Sequence, residues 1–218
     1  MLKDIILGFK LVKYGYKLKE NIFMLVIFTA IGLFVEIQSK GTSIIGGLYF
    51  MLVGMFAYQL IMSVDVSEYI QTSAMKRKLQ LTIPVITSTA LYLFIFTFII
   101  IEKCILINMY PENQKMLIMS LVQLELFMLI VFAFSSICYK YFLLGFLLFI
   151  VLDFAVIIIS SFLFNTPFAS TVLSIPFGVF AVTGYLVIFI GAVLEYIIGA
   201  KLYNKPLSQF AFKGLLKD

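Results

Sequence analysis

Polar side chains with possible functional roles lie inside stretches that are otherwise apolar enough to cross a membrane, and they include Gln123, Glu125, Asp153 and Glu195. A carboxylate near the centre of a bilayer costs about 2.5–3.5 kcal/mol on insertion scales, so we expect it to face protein or water. Such a group either serves a translocation pathway or is a buried structural carboxyl, hydrogen-bonded to a neighbouring helix. The sequence leaves both interpretations open for Glu125 and Asp153. Glu195 lies near the end of its span, where an interfacial position is the alternative.

Enzyme chemistry is largely absent from the sequence. The chain contains no His, which excludes His-based zinc sites and catalytic triads. Residues 41–46 have the glycine spacing of a phosphate-binding loop, but Gly47 stands where that loop requires Lys. We therefore expect no catalytic residue and no metal or cofactor bound by this chain. Because the basic residues follow the membrane face, we expect no nucleic-acid partner either.

The loop at residues 65–80 is polar in a chain that otherwise rarely leaves the membrane. It reads DVSEYIQTSAMKRKLQ and holds the only Arg of the chain, Arg77. Residues 66–75 can form about two helical turns, with Asp65 or Ser67 as the N-cap. A short helix along the membrane surface is suited to insert into a groove on a cytoplasmic partner. The alternative is a plain loop that only sets topology.

The composition that surrounds these residues is that of a membrane protein. Of the 218 residues, 63% are hydrophobic and 12% are charged, whereas soluble domains carry about 45–50% and about 25%. The sequence predicts an all-α polytopic membrane protein with one domain over residues 1–218. Its parts are an interfacial helix (1–19), six spans between 21 and 200, and a cytoplasmic tail (201–218). The predicted spans are 21–37, 43–64, 81–101, 116–138, 142–164 and 175–200.

The distribution of Lys and Arg predicts the orientation. Of the 16 basic residues, 13 fall in the N-terminal segment, the 65–80 loop, the fourth connection and the tail. Only Lys40, Lys103 and Lys115 fall on the other side. Because Lys and Arg are enriched in cytoplasmic loops, both termini and the 65–80 loop are predicted to be cytoplasmic. The abundance of Lys, Ile, Phe and Met indicates an A+T-rich genome, and hence a bacterial plasma membrane.

The N-terminal segment has the pattern of a helix that lies in the membrane interface, and the alternative is a basic flank that only sets topology. Lys3, Lys10 and Lys17 form a stripe beside an apolar arc, where they can reach lipid headgroups. Leu7, Leu11 and Leu18 point the other way and need protein contacts. The arc consists of Leu2, Ile5, Ile6, Phe9, Val12 and Tyr16.

The fifth connection, residues 165–175, holds no charge although it is predicted to lie outside. A solvated loop would be more polar, so a short re-entrant element fits better. Pro167 and Pro176 would interrupt helical structure near its two ends. The alternative is that the sixth span simply begins earlier.

Taken together, these elements resemble the membrane half of an ABC transporter with a type-2 permease domain. The matching segments are 2–19, 67–78 and 165–175. The most motif-like match runs from Ser67-Glu68-Tyr69 through residues 73–80 to Ile83-Pro84-Val85. The compact, Lys-rich form is similar to Gram-positive exporters of amphipathic peptides such as phenol-soluble modulins and small bacteriocins. It lacks the large extracellular domain of the macrolide-exporter type.

The resemblance implies a half-transporter that pairs with a second copy or a close paralogue and is embedded in membrane lipid. Two cytoplasmic ABC ATPase subunits, which hold the ATP and Mg²⁺, would each receive one coupling helix. The resemblance assigns Ser67, Glu68, Tyr69, Thr72, Ser73 and Met75 to the ATPase groove. It implies that Lys76, Arg77 and Lys78 hold the loop to headgroups or to acidic ATPase residues.

Two other functions stay open at this point. One is a substrate-binding membrane subunit of an importer, although the short outer loops lack the polar, aromatic-lined pocket expected of it. The other is a membrane protein that confers immunity to a bacteriocin or peptide.

Overall fold

A computed structural model describes residues 2–65, 70, 72–138, 140–163, 166, 174–206 and 208. Within this part of the chain there are seven α-helices and no strands. The helices are α1 (Leu2–Val12), α2 (Leu18–Ser39), α3 (Ile44–Asp65), α4 (Ile83–Met109), α5 (Gln114–Ile137), α6 (Phe142–Leu163) and α7 (Phe177–Leu202). A π-helical turn, Lys78–Thr82, leads into α4, and a 3₁₀ turn, Pro111–Asn113, precedes α5.

Six of the described helices, α2 to α7, are long and apolar enough to cross a membrane. This confirms the predicted class, an all-α polytopic membrane protein with six spans and a separate short N-terminal helix. Helices satisfy all their backbone groups internally, which lipid cannot do for them. Apolar runs of this length therefore have little choice of structure.

The third span ends later than the predicted residue 101, because α4 continues to Met109. The reason is that Lys103 is fully buried and paired with a carboxylate of α2, so its charge does not need water. With its π-helical turn this helix has 32 residues, or about 48 Å at about 1.5 Å per residue.

The sixth span begins at Phe177, just after Pro176. Proline disfavours helical geometry in the residue before it, which explains why residue 175 is not included. Most of the expected re-entrant element, residues 165 and 167–173, lies outside the described residues. The same holds for residues 207 and 209–218 of the tail.

The core lies where α5 meets α3, α4 and α7. Its largest fully buried side chains include Tyr92, Phe96 and Phe132. α6 packs mainly against α5 and exposes most of its apolar surface, as expected of a helix that faces lipid.

Glycines let these helices approach closely enough for aromatic side chains to fill the space between them. Gly54 of α3 lies against the ring of Tyr92, and a Cβ there would be 2.5 Å from Cε1 of that ring. Gly184 and Gly191 of α7 lie in the same way against Phe96 and Phe132. These small residues are therefore used for packing within one chain.

We expect Gly184→Ala to destabilise the protein, whereas Gly178→Ala on the same helix should not. A Cβ at Gly184 would overlap the buried ring of Phe96, while one at Gly178 would meet nothing within 4 Å. Overpacking a core costs about 1–3 kcal/mol, which is several degrees of melting temperature for a chain of this size. Thermal unfolding of both variants in the same detergent measures the difference. Equal melting temperatures would contradict the described contact between α4 and α7.

Candidate functional site

The candidate site lies at the end of the bundle where α1 packs against α3 and the start of α4. Gly8 of α1 is buried against Thr87, so the two helices nearly touch. One carboxylate oxygen of Asp4, Oδ1, lies 2.6 Å from Nζ of Lys78. The backbone N–H of Tyr16 donates a hydrogen bond to Oγ of Ser63, 2.9 Å away. Three contacts thus join the N-terminal segment to the two helices that flank the 65–80 loop. We call this region the α1 end.

α1 has two distinct faces. Leu2, Ile6 and Phe9 are exposed at helical spacing, which leaves an apolar stripe for the membrane interface. Leu7 and Leu11, which the sequence predicted to need protein contacts, are half-buried. The helix ends at Val12, earlier than the predicted boundary at residue 19, and Lys17 takes a left-handed backbone conformation just before α2.

The predicted coupling residues are described only in part. Ser67, Glu68 and Tyr69 lie outside the described residues. Thr72 and Met75 are exposed to solvent, and Ser73 Oγ accepts a hydrogen bond from the backbone N–H of Met75 (3.1 Å).

The basic triplet, which consists of Lys76, Arg77 and Lys78, belongs to the helix that follows. Lys76 and Arg77 are helical and continue through the π-helical turn into α4. Lys78 is held by α1, because it pairs with Asp4. This ammonium keeps the pKa of Asp4 below its ordinary value of 3.8. The ion pair therefore contributes fully above pH 3.8 and is lost as the pH falls through the lower folded-state value.

A cavity of about 60 Å³, with apolar and polar lining residues, opens beside the π-helical turn, enough for one or a few water molecules. It is lined by Tyr58 of α3, Gln80 of the turn, Ser135 of α5 and Glu195 of α7. The hydroxyl of Ser88 donates to Oε2 of Glu195 (3.2 Å), and that of Tyr58 donates to the carbonyl of Ser135 (3.2 Å). Glu195 is 1% exposed, so its side chain is enclosed by the protein.

Lys140 closes one side of this cavity. Its ammonium donates hydrogen bonds to the carbonyl oxygens of Tyr203 (3.3 Å) and Lys205 (2.8 Å), just beyond the end of α7. Burial lowers the pKa of Lys140, and the charge of Lys76 lowers it further.

The other intramembrane polar residues do not join this cavity. The side-chain amide of Gln123 donates to Ser160 Oγ on α6 (2.5 Å), and Thr183 of α7 donates to Glu125 Oε2 (3.1 Å). Asp153 is half-buried on α6. Gln123 and Glu125 thus face different helices, and each acts as a local link between spans.

One charged cluster was missed by the sequence interpretation, which counted Lys103 as a loop residue. Nζ of Lys103 lies 2.8 Å from Oε2 of Glu36 and 3.8 Å from Oε2 of Glu102, and it donates to the carbonyl of Gly41 (3.1 Å). The signal was present: the apolar run CILINM continues after Lys103, and Glu36 stands near the end of the first span. Both facts favour a paired charge within the helices.

No group of three or more His, Cys, Asp or Glu side chains that could hold a metal occurs in the described part of the chain. Comparisons with protein-family models, curated proteins and solved structures find no match to the sequence. Function must therefore be argued from the geometry above.

We expect Asp4→Asn or Lys78→Met to loosen α1 from the bundle, because each leaves the other charge without its partner. Amide hydrogen exchange over residues 2–12 should rise by up to about fivefold, the scale of a partly exposed ion pair. The charge-swapped double variant D4K/K78D should restore slow exchange. Lys10→Met, on the exposed face of the same helix, is the matched control. If that control loosened α1 as much, the ion pair would not be what holds the helix.

Proposed function

We propose that this chain is the membrane permease subunit of an ATP-driven ABC exporter that moves an amphipathic peptide or another hydrophobic substrate out of the cell. One observation carries the proposal: α1 is tied through Asp4–Lys78 and Gly8–Thr87 to the segment that joins the 65–80 loop to α4. A protein driven from outside the membrane needs such a junction between its surface elements and its spans.

The junction is connected to the membrane-spanning part of the chain through the π-helical turn. The residues after the basic triplet form the π-helical turn, and its Gln80 and Leu81 line the cavity that holds Glu195. π-helical turns within longer helices occur frequently at functional sites. By this proposal an ATPase would contact Thr72, Ser73, Met75 and the preceding residues 67–69. Closure of the ATPase dimer would then move the start of α4. Lys76 and Arg77 would face the ATPase or lipid headgroups, whereas Lys78 holds α1.

The proposed assembly contains two ATPase subunits, which supply ATP and Mg²⁺ chemistry, and a second copy of this chain or a close paralogue. It lies in a bacterial plasma membrane with both termini in the cytoplasm. The buried position of Lys103 supports this orientation, because it removes one of the three basic residues counted on the outer side. The positive-inside bias is then stronger than the sequence count.

A photo-crosslinking amino acid at Met75 should capture an ATPase that carries a phosphate-binding loop. Met75 is 50% exposed at the α1 end, whereas Met109, 60% exposed at the opposite end of α4, provides the matched control. After irradiation in cells, mass spectrometry identifies the adducts. Capture of the ATPase from Met75 but not from Met109 supports the proposal. Capture from both positions, or only lipid adducts from Met75, contradicts it.

Replacing Glu68 or Tyr69 with Ala should uncouple ATP hydrolysis from export without preventing membrane insertion. The expected loss of export is about 5- to 150-fold, the usual size of a coupling between two sites. Glu112→Ala, which removes an exposed carboxylate at the opposite end of the bundle, is the control. Export and ATPase activity are measured on the same vesicles. Normal export by both loop variants would contradict the assignment of this loop as the coupling element.

A further inference from the structure

A groove of about 310 Å³ runs between α2 and α4 at the end of the bundle opposite α1. Its walls are apolar and include Leu33, Ile37, Ile101 and Ile105, all of which are partly exposed at the protein surface. The groove is therefore open sideways, toward the hydrocarbon or the interface. Its volume lies at the lower end of the range found for small-molecule sites, about 300–1,000 Å³.

Charged side chains lie at the inner wall of this apolar groove. Glu36, 1% exposed, and Glu102 both line it, and Lys103 lies behind them with no exposure. Oε2 of Glu36 accepts from Lys103 (2.8 Å). Among the residues that the structure describes, Oε1 of Glu36 and both carboxylate oxygens of Glu102 are buried without a hydrogen-bond partner. The cluster thus has two carboxylates for one ammonium.

Glu36 is fixed in this position by its neighbours. Gly46 of α3 is so close that an added Cβ would lie 2.8 Å from Oε1 of Glu36. Lys103 lies about 14 Å from the midpoint of the 32-residue helix, near the edge of a hydrocarbon layer about 30 Å thick. A ligand that reaches these carboxylates could keep an apolar portion in the hydrocarbon.

The chemistry of the groove selects among cations. A divalent metal is disfavoured, because the Lys103 ammonium already pairs with both carboxylates and no third acidic ligand is near in the described cluster. The ring of Tyr110, at the far end of the groove, is covered by the ammonium of Lys40, 4.7 Å from its centroid. A ligand's positive group would therefore go to the carboxylates. Three of their oxygens accept no hydrogen bond from the described residues, although Oε2 of Glu102 lies 3.8 Å from Nζ of Lys103. A primary ammonium has three N–H donors.

We infer that this groove binds a small amphiphilic primary ammonium, with the ammonium on Glu36 and Glu102 and the apolar portion between α2 and α4. Binding would bring a second ammonium to the two carboxyl groups. The inference does not rest on the proposed transport function, because binding needs only the purified chain and no ATPase.

The test uses the full chain in nanodiscs of phosphatidylcholine, which carries no net charge to attract amines. The probe is monodansylcadaverine, a fluorescent primary amine with an apolar dansyl group, and its N-acetylated form is the uncharged comparison. We expect saturable fluorescence enhancement with the amine and only linear partitioning with the acetylated form. Glu102→Gln keeps the Glu36–Lys103 pair and should raise Kd at least about tenfold. Glu112→Gln, an exposed carboxylate nearby, should change Kd less than about twofold.

A second variant keeps the test decisive if Glu102→Gln fails to fold. Ile105→Trp narrows the groove while both carboxyl groups are kept, and Phe94→Trp places the same side chain at an exposed position of α4 that does not line the groove. We expect I105W to abolish saturable binding and F94W to leave it unchanged. The inference is overturned if the native chain shows no saturable binding, if the acetylated probe binds equally well, or if both E102Q and I105W bind like the native chain.

Discussion

The ion pair between Lys103 and Glu36 is the interaction on which one end of the bundle depends. Lys103 has no exposure, and lipid offers no partner for its ammonium, so the charge must be matched within the protein. This ion pair brings together α2, α4 and the turn after α2. The carbonyl of Gly41, in that turn, accepts a second hydrogen bond from Lys103. Gly46 lets α3 close over the Glu36 side chain. Removing one partner of such a pair generally costs about 3–5 kcal/mol, so several contacts depend on one charge.

The α1 end is held in a different way. Its ion pair, Asp4–Lys78, is partly exposed, with 21% and 44% of the two side chains accessible, and exposed pairs contribute little to stability. Its cavity has room for water, and Oε1 of Glu195 has no hydrogen-bond partner among the described residues. The bundle thus has one end held by a buried ion pair and another end whose ion pair is partly exposed.

The sequence predicted the spans well because lipid leaves an apolar segment of sufficient length little alternative to a helix. The predicted end of α4 at residue 101 was too early, since Lys103 lies within the helix and has its partner 67 residues away, on α2. The candidate site was predicted less completely for the same reason. Each intramembrane polar residue was identified from its own position, but Gln123, Glu125 and Glu195 bond to three different spans. Pairing between distant helices depends on their rotation, which apolar runs without strong periodicity do not specify.

The π-helical turn connects the α1 end to the core. Leu81 packs against Gly199 of α7, where an added Cβ would lie 2.7 Å from Cδ1 of the leucine. Gln80, its neighbour, lines the cavity of Glu195. A displacement of the 65–80 loop therefore cannot move the start of α4 without also moving its contact with α7. Since α7 packs along α5, the most buried helix, that displacement reaches the centre of the bundle, while the Lys103 cluster resists it at the other end. In the proposed function, an ATPase that displaced this loop would tilt α4 about its end at Lys103, which is the kind of movement that alternating access requires.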